Sequence, residues 1–248
     1  MLNDRQLLEV FECARSCRAL VMVHCEGYDA IKFMTERLEQ AGKTAPYYHA
    51  VSRPELVERE AAHRAISHAE LIDVPIMIVH VSGRQAMEQI SDHCPFYFEG
   101  AQGKQNPKAR TSFRWVPNGI PGIETRLPIL WSKGVVAGRI TANEFVALTS
   151  TNHAKMYGLY PKKGAVAVGF DADIVLWDAN RKQVIRQDVL HHGADYTPYE
   201  GLAVTGWPVM TILRGKVVAE EGKILGEPGD GSFLRRGLSP YASPSRAA

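Results

Sequence analysis

Two segments of this sequence share one design: an apolar run of strand length, followed at once by a histidine and then by small or polar residues. They are Val21-Met22-Val23-His24-Cys25-Glu26 and Met77-Ile78-Val79-His80-Val81-Ser82-Gly83. Imidazole is the commonest protein ligand for zinc-like ions, and two imidazoles from neighbouring strands would supply half of a tetrahedral site. A histidine at a strand end can equally do no more than hydrogen-bond nearby backbone, so both readings stand at this point. Ser91-Asp92-His93-Cys94-Pro95-Phe96 adds a carboxylate. Beside a bound cation, Asp92 would stay ionised as a ligand and still accept a proton from metal-bound water. Without a cation the same residues make an ordinary turn.

The elements that must carry these groups can be read from the apolar spacing. Leu7, Leu8, Phe11 and Ala14 recur at helical intervals over residues 6–17, and residues 20–24 then read as a fully buried strand. A second helix is expected from about Ala30 to Gln40. Ser52-Arg53-Pro54-Glu55 offers an N-cap with a glutamate three residues on, opening a helix to about Leu71. Residues 75–79 form another short strand ending on a histidine. Helices alternating with strands that end in polar residues are the pattern of a parallel α/β sheet or barrel, where chemistry gathers at the carboxyl ends of the strands.

After a loop-like stretch from Phe98 to Gly122, residues 124–133 read as helix, and Thr141-Ala142-Asn143-Glu144 is a capping box opening another. Beyond Pro161 the texture changes to short strands between glycine-rich turns, at 165–168, 173–177, 183–186, 209–213 and 216–219. This divides the chain into an α/β region over 1–160, a small β domain over 161–236 and a loose Ser/Pro/Ala-rich tail over 237–248. Val166, Val168, Ile174, Leu176, Val209 and Ile212 alternate as the core of that β domain would require.

With 29 basic and 27 acidic residues scattered along 248 positions, nothing suggests nucleic acid, and no apolar run approaches the roughly 20 residues of a membrane span. A small-molecule partner is expected instead. The N-terminus shows no signal pattern, which points to the cytosol. There Cys13, Cys17, Cys25 and Cys94 are expected as small buried hydrophobes, with Cys13 and Cys17 stacked on one helix face.

Five segments taken together resemble the dihydropyrimidinase and hydantoinase group of metal-dependent cyclic amidohydrolases. They are Val23-His24-Cys25-Glu26, Ile78-Val79-His80-Val81-Ser82-Gly83, the Asp92 cluster, the run Pro117-Asn118-Gly119-Ile120-Pro121-Gly122 through Leu127, and Gly169-Phe170-Asp171-Ala172-Asp173-Ile174-Val175. Their order matches that family, and they span nearly the whole chain. The resemblance implies a fold of the α/β class: a partial TIM-like (β/α) barrel with a small C-terminal β-sandwich domain. It also implies a two-metal centre, usually zinc, whose hydroxide opens the ring of a cyclic ureide, and a homo-oligomer, tetrameric in the family. Carried over, His24 and His80 correspond to the ligands of one metal. Asp92 corresponds to the aspartate that binds the other metal and shuttles the proton. Asn118 corresponds to the residue whose backbone holds the substrate's amide edge.

The family pattern also breaks. No His-x-His occurs in the sequence, although the family uses such a pair and a carboxylated lysine upstream of the strand ending in His24. His80 and Asp92 stand 12 residues apart where the family places several tens, with the joint near Ile90-Ser91. A crossover between parallel strands needs a dozen or more residues, so Asp92 need not arrive beside the two histidines. At most one tightly held divalent ion per chain is therefore expected. Two functions follow from the resemblance: a hydrolase of dihydropyrimidines or hydantoins, or a catalytically impaired relative with a structural or assembly role.

Overall fold

The computed structural model describes residues 1–81, 111–115, 121–194 and 196–244, which fall into two compact units, 1–119 with 241–248, and 120–240. Asp92 and Asn118 lie outside the described residues.

In the first unit the order is α1 (Asp4–Cys17), β1 (Val21–His24), α2 (Tyr28–Gln40), α3 (Tyr47–Val51), α4 (Glu55–Ile72) and β2 (Ile76–Val79). Asn3 and Gln6 form a reciprocal capping box at the start of α1. The box expected at Ser52 and Glu55 does not form. Pro54 is the N-cap of α4 without a side-chain cap bond, while the Ser52 hydroxyl donates to the His49 carbonyl and closes α3. A hydroxyl beside the end of one helix and the start of the next can donate to a carbonyl of the first or accept from an N–H of the second, and here it donates to the preceding helix.

β1 and β2 pair in parallel, with Val21 opposite Ile76 and His24 opposite Val79. What covers them is set by side-chain size. Ala61, Ala62, Ala65 and Ala69 run down one face of α4, so this helix lies close against the strands. Ala61, Ala62 and Ala65 pack with Cys25, Ile78 and Val81, and Ala69 packs with Phe11, Ala14 and Val74. Phe11 is fully buried, which ties α1 into the same core. Of the cysteines, Cys25 is buried as expected, but Cys13 and Cys17 are exposed because α1 turns only its Phe11 and Ala14 side inward.

The second unit begins with α5 (Ile123–Leu130), which runs on into a π-helical turn over Trp131–Val135. The Thr141–Glu144 capping box is present and opens α6 (Ala142–Val146), followed by a second π-helical turn and α7 (Asn152–Met156). Four strands then form one antiparallel sheet in the order β3 (Ile174–Val184), β4 (Ala203–Leu213), β5 (Lys216–Glu220) and β6 (Lys223–Ile224). The first expected strand, 165–168, does not form, and Val166 and Val168 are exposed, as is Leu176. Buried apolar positions lie elsewhere, among them Ile185 and the nearby Val204. Alternation marks a two-faced strand, but it does not say which face is covered.

The sheet meets the helices of this unit through an aromatic cluster. The ring centres of Trp131, Phe145 and Trp177 lie 5.1–5.7 Å apart. Gly206 of β4 sits against this cluster at φ +95°, and a Cβ there would overlap the Trp131 indole. Replacement of Gly206 by alanine is therefore expected to cost at least about 2–3 kcal/mol, combining overpacking with a left-handed backbone. Urea denaturation would measure it, with Gly215→Ala as a comparison. Gly215 also has positive φ, but a Cβ there meets nothing within 4 Å.

Candidate functional site

The parallel register places the carboxyl ends of β1 and β2 side by side, and a histidine leaves each. His24 is the last residue of β1, and His80 follows β2 with φ of 59°. A left-handed conformation is uncommon outside glycine, though histidine is among the residues that adopt it more readily. The two rings lie edge to face with their centres 5.4 Å apart. Of the four residues expected at the site, His24 and His80 are thus brought together.

Strand alternation continues past His24. Cys25 turns into the core, where burial pushes its thiol up to about 12, and Glu26 returns to the side of His24. Its carboxylate oxygen Oε2 lies 3.2 Å from His24 Nε2, and Oε1 lies 4.0 Å from Arg53 Nε. This bond to Glu26 raises the His24 pKa above its ordinary value, with burial opposing and the Glu58 charge adding a little. The same bond lowers the Glu26 carboxyl. Behind Glu26, Arg53 bonds Ser52 Oγ at 3.0 Å and lies 3.4 Å from His49 Nδ1. Burial, and then the Arg53 charge, lowers the His49 pKa.

Glu26, His49 and Arg53 were not among the residues expected at the site. A signal for Glu26 was present, since a carboxylate two residues beyond a strand-end histidine falls on the same face. His49 comes from α3 and Arg53 from the α3–α4 connection, and no local pattern announces their approach.

The donor set can be tested against a metal. Two imidazoles bound to one tetrahedral ion at about 2.0–2.1 Å per nitrogen would hold their ring centres about 5 Å apart. His24 and His80 meet that condition. Among the described residues no group of three His, Cys, Asp or Glu side chains converges to hold an ion, so the pair fits part of one site and no second one.

The model of the amidohydrolase family matches residues 1–218. The D-hydantoinase of Ralstonia pickettii is 36% identical, over 95% of this chain and 65% of its own length. The dihydropyrimidinase of Rattus norvegicus is 31% identical, over 98% of this chain and 58% of its own. A solved structure of D-hydantoinase has a TM-score of 0.87 at 36% identity and covers 96% of this chain and 65% of that one. The crystal structure of dihydropyrimidinase from Brevibacillus agri NCHU1002 has a TM-score of 0.88 at 32% identity, with 96% and 65% covered. The chain thus spans 58–65% of the length of these relatives. The first of these matches runs over 300 aligned positions, more than the 248 residues of the chain, so that relative carries several tens of residues within the matched span that this chain lacks.

A protonated imidazole cannot bind a metal, so zinc binding at His24 must displace its proton. Because Glu26 raises the His24 pKa, this competition begins above about pH 6.5. Zinc affinity is expected to fall by up to about tenfold per pH unit below the His24 midpoint. Chelator competition from about pH 8.5 down to pH 6, beside an NMR titration of the imidazoles, would check it. The sign for stability of the metal-free fold is the opposite: a raised histidine stabilises the fold at low pH, and this contribution is lost as pH rises through the folded value.

Proposed function

We propose, from the premise that this chain belongs to the amidohydrolase family, that it is a hydrolase opening the cyclic C–N bonds of dihydropyrimidines and hydantoins. The observation that carries the reading is the pairing of His24 and His80 at adjacent carboxyl ends of parallel strands, where a (β/α) barrel gathers its chemistry. In this reading β1 and β2 are neighbouring strands of a partial TIM-like barrel, and the β3–β6 sheet belongs to the β-sandwich domain of the same architecture. Similarity to D-hydantoinases and dihydropyrimidinases over most of the chain supports it.

His24 and His80 hold a divalent ion, zinc in the first instance. When bound, such an ion polarises the ring carbonyl and supplies hydroxide at neutral pH. The residues of this chain supply the rest. Asp92 accepts the proton released from the attacking water and returns it to the departing ring nitrogen. The backbone of Asn118, between Pro117 and Gly119, binds the amide edge of the cyclic ureide and fixes its carbonyl for attack. The polar, half-exposed surroundings of His24 suit a small polar substrate. Among the described residues no helix is long and apolar enough to cross a membrane. The reading includes cytosolic residence and a homo-oligomer.

The 248-residue chain on its own is expected to bind at most one zinc per chain tightly, as elemental analysis after gel filtration would show. It is also expected to open dihydrouracil or hydantoin far below the usual range of roughly 1–1000 per second. One ion activates water less than two sharing the charge, and imperfect positioning alone can cost about a hundredfold. Residual turnover with zinc, manganese or cobalt should vanish in His80→Ala. Turnover in the normal range that His80→Ala leaves untouched would overturn the assignment of the site.

A further inference from the structure

Glu26 has no part in the ligand set considered above, yet the fold holds it in place from three directions. Its backbone follows Cys25, whose side chain is 5% exposed and packed against Ala61, Ala62 and Ala65. The next residue, Gly27, donates its N–H to the Val57 carbonyl of α4 at 3.3 Å. The carboxylate itself is engaged at both oxygens, by His24 Nε2 at 3.2 Å and by Arg53 Nε at 4.0 Å. Arg53 is in turn anchored at Ser52, which is fully buried. A surface ion pair between two long, free side chains would show none of this anchoring.

The chemistry of the contact has a direction. A neutral imidazole carries one N–H and one lone pair. With Nε2 donating to the Glu26 carboxylate, the proton sits on Nε2, and the lone pair that can bind an ion is on Nδ1. Glu26 does not join His24 and His80 as a third converging ligand. Its place is behind the ligand, where a carboxylate fixes the tautomer and ring orientation and increases ligand basicity.

Resting on the metal reading of His24 and His80, we propose that Glu26 is a positioning residue: through its hydrogen bond to His24 Nε2 it presents His24 Nδ1 to the ion shared with His80. The Arg53 guanidinium, its Nε 4.0 Å from the second oxygen, adds a favourable charge there without a hydrogen bond. The sequence motif is therefore His-x-Glu, with the intervening Cys25 serving as the core anchor that sets both side chains on one face.

The test is metal affinity rather than turnover. Zinc dissociation constants would be measured by competition with a chromophoric chelator at about pH 8.5, well above the ordinary imidazole value of about 6.5, so that proton competition at His24 is small. Glu26→Ala is expected to weaken zinc binding about 10- to 100-fold, the usual effect of losing such a partner. Glu26→Gln keeps an acceptor without the charge and should fall between Glu26→Ala and wild type. Cobalt(II) would give a second readout, its visible bands shifting in Glu26→Ala as the His24 ring loses its fixed orientation. Thermal melting checks each variant, and if Glu26→Ala melts early the nearly isosteric Glu26→Gln carries the comparison. Wild-type affinity and spectrum in both Glu26 variants, with binding lost in His24→Ala, would overturn the positioning role alone. Unchanged affinity in both His24→Ala and His80→Ala would remove the metal site and the inference with it.

Discussion

The site depends on the parallel register of two four-residue strands. With Val21 set opposite Ile76, both chains run out at the same level, and the histidine that ends one strand meets the histidine that follows the other. A slip of one residue would turn every side chain of a strand to the opposite face. His24 would then point where Cys25 now lies, among the alanines of α4. The register is held by that same contact, because the small side chains at Ala61, Ala62 and Ala65 leave room for Cys25, Ile78 and Val81 and for nothing polar.

The two units meet the problem of a core in different ways. The first uses a helix stripped to alanines so that backbone lies close to backbone. The second uses bulk: Trp131, Phe145 and Trp177 fill the space between helix and sheet, and Gly206 yields its side chain to them. Both π-helical turns, at Trp131–Val135 and Ala147–Thr151, lie in the second unit, and the first of them contains Trp131. Ser132 of that turn also accepts from the Thr205 N–H beside Gly206, so the wide turn joins helix and sheet by packing and by hydrogen bond.

Much of the first unit was legible in the sequence because its signals are local. The apolar run Val21–Val23 ending at His24, the matching run ending at Val79, and the helical spacing of Leu7, Phe11 and Ala14 each name their element without reference to the rest of the chain. The pairing of His24 with His80 followed from the strand ends and from the resemblance to hydantoinases. What could not be read was any group whose role depends on arrival from elsewhere. Arg53 reaches Glu26 only because α3 and α4 fold across the end of β1, and Ser52 looks like an N-cap until the helix before it claims the hydroxyl. Val166 and Val168 show the converse failure. They alternate as strand residues do, but among the described residues no partner strand comes to cover them, and alternation is silent about partners.

The strand pairing also sets an order of assembly. β4 and β5 are joined by Arg214 and Gly215 alone, and a hairpin of that kind closes in about 1–10 μs. Val21 finds Ile76 only after a loop of roughly fifty-five residues has closed, and the chain entropy of that closure must be met before any contact across it contributes. The histidine pair is therefore expected to form after the β4–β5 hairpin. A zinc ion offered to the unfolded chain meets two imidazoles with no fixed separation, and it can stabilise their meeting without having guided it.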